Sequence, residues 1–118
     1  MKKTIRIPLM TPSLNEIKKM MYKQHYRYKE LIETWGEYFT IHKVYLGLAK
    51  GPRRVTVISA RKKICDDDNF RGGLKPVFDA MVNTRLLIND DPKHLTPGPH
   101  IQIPCNTQDT TIIFEDLY

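Results

Sequence analysis

The sequence has little cysteine and no long apolar run, and each shortage excludes a class of protein. Its two cysteines, Cys65 and Cys105, are too few for a disulfide framework, so a reducing, cytoplasmic environment is expected. No apolar run reaches the length of about 18 residues that a transmembrane helix needs, so no membrane partner is expected. Arg6 and Pro8 interrupt the apolar character of the N-terminal segment, which argues against an export signal.

Several catalytic motifs are also missing. No Gly-x-Ser-x-Gly or His-Glu-x-x-His segment occurs, and no Cys-x-x-Cys pair supports a zinc site. Gly73-Leu74-Lys75 lacks the remaining residues of a phosphate-binding P-loop. An EF-hand that began at Asp66 would need a bidentate glutamate where the chain has Val77. These absences exclude the commonest hydrolase, nucleotide-binding and calcium-binding sites.

What the chain has in excess is positive charge. Its 118 residues carry 19 Lys and Arg against 13 Asp and Glu, a formal net charge of +6. Such a balance favours a polyanionic partner, above all nucleic acid. The 41% hydrophobic and 27% charged residues are ordinary for a globular protein, so residues 1–118 are predicted to form a single domain.

The N-terminal third predicts a short strand and then helix. Residues 3–9 alternate apolar and polar side chains as a strand does. Ser13 is a predicted helix cap, with Glu16 three residues later as in a capping box. An apolar stripe with helical period then runs to Phe39, and Gln24 interrupts it, so two helices or one kinked helix remain open.

Basic residues and tyrosines crowd this helical segment. The basic residues are either a solvated face or a surface that follows phosphates: Lys18, Lys19, Lys23, Arg27 and Lys29. The tyrosines among them suit either the core or that surface: Tyr22, Tyr26 and Tyr28. The pattern leaves both questions open.

Residues 54–63 are the best predicted strand, apolar on both faces as a central strand would be. Gly72 and Gly73 are interpreted as a flexible joint, and Pro76 suits the first turn of a following helix. Residues 100–104 and 110–116 predict two more strands, which could form a closing hairpin. The expected fold is therefore α/β (α+β): a small mixed β-sheet packed with a long N-terminal helical segment and a second helix after the acidic stretch.

Three consecutive aspartates at the end of the central strand are the main functional signal. Asp66 and Asp68 are two residues apart, so an extended segment would place both on one face. Asp90 or Asp91 and Lys75 come from other segments. Carboxylates grouped in this way suit Mg²⁺ or Mn²⁺. Such an ion activates water and neutralises a scissile phosphate, and a nearby lysine can stabilise the transition state.

The alternative interpretation of the aspartates is purely structural. They would then form a charged, solvated loop in which Asp68 or Asn69 caps a helix. From the pattern alone, metal chemistry is the favoured interpretation.

The stretch "CDDDNFRGGLKPVFDAM" (65–81), with "PSLNE" before it and "LLINDDPKHL" after it, resembles the RusA-type Holliday junction resolvases of bacteria and their phages. The family pattern is Asp-x-Asp-Asn, a lysine, a helix containing Asp-Ala, and a late acidic pair. The resemblance implies catalytic roles for four residues: Asp66, Asp68, Lys75 and Asp90. It implies that the three aspartates among them also bind the metal. It also matches Asn69 and the helix aspartate, Asp79.

The chain departs from the family pattern at two places. Lys75 follows the second aspartate by seven positions instead of four, with the Gly72–Gly73 region supplying the excess. In the late acidic pair, an ungapped alignment puts Asp90 on the catalytic position. An alignment shifted by one residue makes Asp91 the metal ligand instead.

The resemblance implies a Mg²⁺-dependent, structure-specific endodeoxyribonuclease that resolves four-way junctions or other branched DNA. It further implies a homodimer, and a location in the cytoplasm of a bacterium or a phage-infected bacterial cell. Four basic residues near the acidic stretch are the predicted DNA contacts: Arg53, Arg54, Lys62 and Lys63. The alternative is a non-catalytic DNA-binding or phage accessory protein with the same fold.

Overall fold

A single mixed sheet of five strands organises the computed structural model, which describes residues 2–118. The strands are β1 (Lys2–Ile7), β2 (Arg53–Arg61), β3 (Leu95–Pro97), β4 (Ile101–Pro104) and β5 (Asp109–Asp116). β5 lies between β1 and β2 and is antiparallel to both. β3 and β4 pair in parallel with successive parts of β2. The expected central strand and mixed sheet are confirmed.

The last strands differ from the predicted arrangement. The segments 100–104 and 110–116 correspond to β4 and β5 to within one residue, but these strands do not form a hairpin because β2 lies between them. β3 was not predicted from the sequence, since it has only three residues and ends at Pro97. It pairs with the start of β2, where Arg53 is opposite Leu95.

Five helices accompany the sheet: α1 (Leu14–Lys23), α2 (His25–Ile41), α3 (Lys43–Leu46), α4 (Asp67–Gly72) and α5 (Lys75–Asn83). The Ser13 hydroxyl accepts a hydrogen bond from the Glu16 backbone N–H, so the predicted cap of α1 is confirmed. Gln24 leaves the helical region, with φ −146° and ψ 61°, and it separates α1 from α2. No helix in residues 2–118 is long and apolar enough to cross a membrane.

The core lies between one face of the sheet and the helices. Alternate side chains of the strands, such as Ile7, Val57 and Ile112, are fully buried against Trp35 and Met81. The intervening side chains form the opposite face, which no helix covers and which is only partly buried. The fold is therefore a two-layer α+β domain, as the sequence predicted.

The Gly72–Gly73 pair is a tightly packed contact, so the predicted flexible joint is wrong. Gly73 has an ordinary backbone conformation, with φ −76°. A Cβ atom there would overlap the backbone carbonyl of Pro12, just before α1. Gly73 is therefore required because space is lacking, and it lets the α4–α5 turn approach the beginning of α1.

Gly73→Ala should lower the free energy of unfolding by about 3 kcal/mol, because the added methyl group meets rigid backbone. Gly36→Ala is the matched control. Gly36 lies inside α2, and its nearest neighbour would be 3.8 Å from the new Cβ. This change should stabilise the protein by up to about 1 kcal/mol through helix propensity. Urea denaturation of both variants measures the difference, and equal effects would contradict the packing role of Gly73.

Candidate functional site

The acidic stretch begins a helix, and this changes how its carboxylates are placed. Asp66 is the N-cap of α4, and its Oδ1 accepts a hydrogen bond from the Asn69 N–H over 2.8 Å. Asp67 and Asp68 occupy the first turn, where the helix dipole favours negative charge. The prediction that Asp66 and Asp68 share one face of an extended segment is wrong, because the chain turns helical at Asp67. The cap itself is Asp66, and not Asp68 or Asn69.

The side chains of α4 have different partners. Asp67 forms an ion pair with Arg71 over 2.8 Å. Asn69 accepts a hydrogen bond from the Asn15 N–H over 2.9 Å, which attaches α4 to α1. Within residues 2–118 the Asp68 carboxylate has no hydrogen bond or ion pair and is exposed to solvent. Asp68 and the second oxygen of Asp66 are thus the free donors of this helix.

A second group, here called the Lys75 cluster, comprises Tyr28, Lys75, Asp79 and Asp90. The Lys75 ammonium contacts Asp90 Oδ2 at 2.6 Å and Asp79 Oδ1 at 3.0 Å. Its hydrogen bonds to Asp90 and then to Asp79 raise the pKa of Lys75 to about 12. The amine therefore stays protonated at neutral pH, and it can act as a cation but not as a general base.

Tyr28 is the member of the cluster that the sequence did not identify as functional. Burial, followed by the neighbouring Asp79 carboxylate, raises the pKa of its hydroxyl above the usual value. Beside Asp79 and Asp90, a shallow cavity of about 240 Å³ opens towards Asn83 and Asn89. No sequence signal pairs Tyr28 with Asp79, because α2 and α5 meet only in the folded chain.

Asp90 and Asp91, the two candidates from the late acidic pair, have separate surroundings. Asp91 Oδ1 lies 2.7 Å from His94 Nδ1 and also accepts the backbone N–H groups of Lys93 and His94. These bonds lower the pKa of Asp91, and the bond to the His94 side chain has the largest effect. Asp91 thus closes a local turn, whereas Asp90 pairs with Lys75.

The donor set suits a hard divalent ion in chemistry but is not assembled as a cage. Asp66, Asp68 and Asp90 offer the carboxylate oxygens that Mg²⁺ and Mn²⁺ prefer. Among residues 2–118, however, no three acidic, histidine or cysteine side chains lie close enough together to hold one ion. Asp90 is also neutralised by Lys75. Two oxygen donors at the start of α4 are therefore free, and the third is engaged in an ion pair.

The four predicted DNA contacts separate into one buried and three exposed residues. Arg53 is 2% exposed, and its guanidinium binds Asp116 and the backbone carbonyls of Leu86 and Leu46. The prediction that Arg53 contacts DNA is therefore wrong, because it is part of the folded core. Arg54 is exposed on the uncovered face of the sheet, and Lys62 and Lys63 are exposed in the turn after β2.

His100, which packs beside α5, is a buried histidine with a structural role. Its Nδ1 accepts the backbone N–H of Val57 over 3.1 Å, and its ring lies 5.7 Å from that of Phe78. Burial, aided by the Arg71 charge, lowers the pKa of His100 to about 4. The imidazole is therefore neutral at physiological pH and serves as a hydrogen-bond acceptor for β2.

His100 should make the protein sensitive to acid. Its folded pKa is below the unfolded value of about 6.5, so below that pH the unfolded chain takes up the proton more readily. The free energy of unfolding should be unaffected above pH 6.5 and should fall by up to about 3 kcal/mol as the pH decreases to 4. Urea denaturation across this range, compared with His100→Gln, measures the effect. An identical pH dependence in the variant would contradict it.

No protein-family model matches this chain, and a search of curated proteins finds no match either. Its function is therefore inferred from the arrangement of its own residues and from the motif resemblance in the acidic stretch.

Proposed function

We propose that the chain is a Mg²⁺-dependent endodeoxyribonuclease that cleaves branched DNA, with four-way junctions as the leading substrate. The observation that carries this proposal is the Lys75 cluster. Lys75, Asp79 and Asp90 match three positions of the RusA-type pattern, and they meet within hydrogen-bond distance although Asp90 comes from a separate segment. If Lys75, Asp79 and Asp90 were only solvated surface charges, they would not need to lie within hydrogen-bond distance of one another.

In this proposal Asp66, Asp68 and Asp90 would hold the ion, Mg²⁺ or Mn²⁺. When bound there, such an ion would supply an activated water molecule and positive charge at the scissile phosphate. The hydrogen bond from the Asn69 N–H holds Asp66, and Asp68 lies in the first turn of α4 with its carboxylate unpaired among residues 2–118. Lys75 retains Asp79 as a partner when Asp90 turns to an ion, so its charge stays beside the phosphate. Lys75, still paired with Asp79, would stay protonated and stabilise charge instead of removing a proton.

DNA is favoured as the substrate by the net charge of +6 and by the exposed basic residues on several elements. The choice of branched DNA comes from the resemblance. A homodimer follows from the same source, since a two-fold symmetric junction is matched by a two-fold symmetric protein. Light scattering of the protein with and without a junction tests this. A mass of 13.8 kDa for the free protein, together with a complex that holds one protomer per junction, would exclude the dimer.

A second candidate function is a DNA-binding or phage accessory protein that does not cleave. The specific observation in its favour is the missing cage: in residues 2–118 no three acidic, histidine or cysteine side chains converge, and Asp79 and Asp90 share Lys75 as their ion-pair partner. Such a protein would bind junctions through its basic surface and leave them intact.

One gel experiment separates the two functions. A labelled four-way junction and a linear duplex of the same sequences are incubated with the protein in Mg²⁺, in Mn²⁺ and in EDTA. Symmetric cuts in the junction that require the metal support the nuclease. Junction binding without cuts in either metal supports the accessory protein. Equal cleavage of the linear duplex would contradict the structure specificity.

A further inference from the structure

The meeting point of α1 and α2 is the most basic continuous segment of the surface. We call residues 18–29 the helical corner. It contains five basic residues and no acidic one: Lys18, Lys19, Lys23, Arg27 and Lys29. All its residues are exposed except Met20, Gln24 and Tyr28, which are half-buried. The corner therefore presents five positive charges to solvent, and the exposed Glu16 and Glu30 lie just beyond its two ends.

Two tyrosines are exposed among these cations. Tyr22 is 82% exposed and Tyr26 is 62% exposed, so neither contributes to the core. Lys23 Nζ lies 5.9 Å from the centre of the Tyr22 ring. A concavity of about 300 Å³ is lined by four residues: Lys19, Tyr22, Lys23 and Gln24. An aromatic ring in a hollow bordered by ammonium groups matches both parts of a nucleotide, its flat base and its phosphate.

We infer that the helical corner binds unpaired nucleotides of DNA, with a base stacked on Tyr22 and the flanking phosphates held by Lys19, Lys23 and Arg27. Proteins that bind single strands combine a basic groove with exposed aromatic rings in this way. A continuous duplex offers only its backbone, because its base faces are covered. The inference rests on the proposed function only for the choice of DNA.

A membrane surface is a poorer match for the corner. An amphipathic helix that binds lipid inserts its apolar face. The apolar face of α1 is already occupied, since Ile17 is 4% exposed and Leu14 contacts the α4–α5 turn at Gly72. Towards its C-terminal end the exposed face of α1 carries lysines with Met21 and Tyr22, and Glu16 and Asn15 are exposed nearer its beginning. The lysine-rich end suits a charged strand with stacked bases.

The position of the corner connects it to the acidic helix α4. The Asn15 N–H donates to Asn69 Oδ1, and Gly73 packs against Pro12, so α1 and α4 are held together near their beginnings. Tyr22 is seven residues beyond Asn15, or about 10 Å along α1. A strand lying on the corner would thus extend towards Asp66 and Asp68. Unpaired nucleotides at a DNA branch point are the feature such a strand would supply.

The test is equilibrium binding by fluorescence anisotropy in EDTA at low salt, where no cleavage occurs. The probes are a short oligothymidylate, an abasic oligonucleotide of the same length and the corresponding duplex. The oligothymidylate should bind about tenfold more tightly than the abasic strand, because only bases can stack. Tyr22→Ala should remove this difference, and Tyr22→Phe should preserve it because the ring remains.

Tyr45→Ala is the matched control. Tyr45 is also exposed, at 53%, and has Lys3 Nζ 5.4 Å from its ring centre, but it belongs to α3. The Tyr45→Ala substitution should leave the preference for the oligothymidylate over the abasic strand unchanged. Equal affinity for the abasic and thymidylate strands, or equal effects of Tyr22→Ala and Tyr45→Ala, would overturn the inference. The inference would also be overturned if Tyr22→Ala weakened binding to phosphatidylserine vesicles but left binding to the oligothymidylate unchanged. Because the measurement needs no metal, its outcome is independent of whether the protein cleaves junctions.

Discussion

Replacing Asp68 with asparagine should reduce the metal-dependent cleavage of a four-way junction by two to three orders of magnitude, or about 3–4 kcal/mol of transition-state stabilisation. Asparagine keeps the shape of the side chain but removes one negative ligand. The junction should bind as tightly as before, or more tightly, because a charge that repels phosphate is lost. Rates and affinities measured on the same labelled junction separate these two effects.

Asp67→Asn is the matched control for this experiment. Asp67 is the neighbouring residue in the same helical turn, but it is paired with Arg71. Its substitution should change the rate little. Asp90→Asn should behave like Asp68→Asn, whereas Asp91→Asn should be mild because Asp91 closes a turn with His94. Cleavage by Asp68→Asn at the parent rate would exclude the proposed metal site.

Arg53→Ala should destabilise the fold severely, by about 3 kcal/mol or more, although it changes an arginine in a basic protein. The Arg53 side chain is 3% exposed, and its loss leaves Asp116 and the carbonyls of Leu46 and Leu86 without their donor. Because small domains are stable by only about 5–15 kcal/mol, this is a large fraction of the total. Urea denaturation measures the effect.

Arg54→Ala, one residue further along β2, is the natural comparison. The Arg54 side chain is 44% exposed and pairs with Glu115 at the surface, so its removal should cost at most about 1 kcal/mol. The Arg54→Ala variant should remain folded, and its affinity for DNA at low salt should fall because an exposed positive charge is lost. Similar stabilities for the two variants would contradict the structural role assigned to Arg53.

The features that the sequence predicted well are those encoded by neighbouring residues. The cap at Ser13 needs only Glu16, three residues away. The central position of β2 follows from its continuous apolar pattern, and the start of α5 follows from Pro76. Each of these signals lies within one element, so its physical cause is visible in a short window of sequence.

The features that were missed depend on contacts between distant segments. Arg53 is buried because Asp116, 63 residues later, lies beside it in the sheet. Gly73 is constrained by Pro12, and Tyr28 acquires its neighbour Asp79 from another helix. The helical start at Asp67 was obscured for a different reason, because the acidic run was interpreted as an extended metal-binding segment. A local capping rule explains it equally well.

The position of β5 also determines the order in which the chain can fold during synthesis. β1 is made first, yet its partner in the sheet is β5, with Ile5 opposite Ile112. Until β5 leaves the ribosome, β1 has no neighbouring strand and β2 lacks its antiparallel partner. The helices can form locally beforehand, but β1 cannot join the sheet until β5 is available, and pairings so distant in sequence are slow to form. The apolar side chains of β1 and β2 are therefore expected to stay accessible until β5 is made, and a chaperone would find apolar segments to bind during this interval.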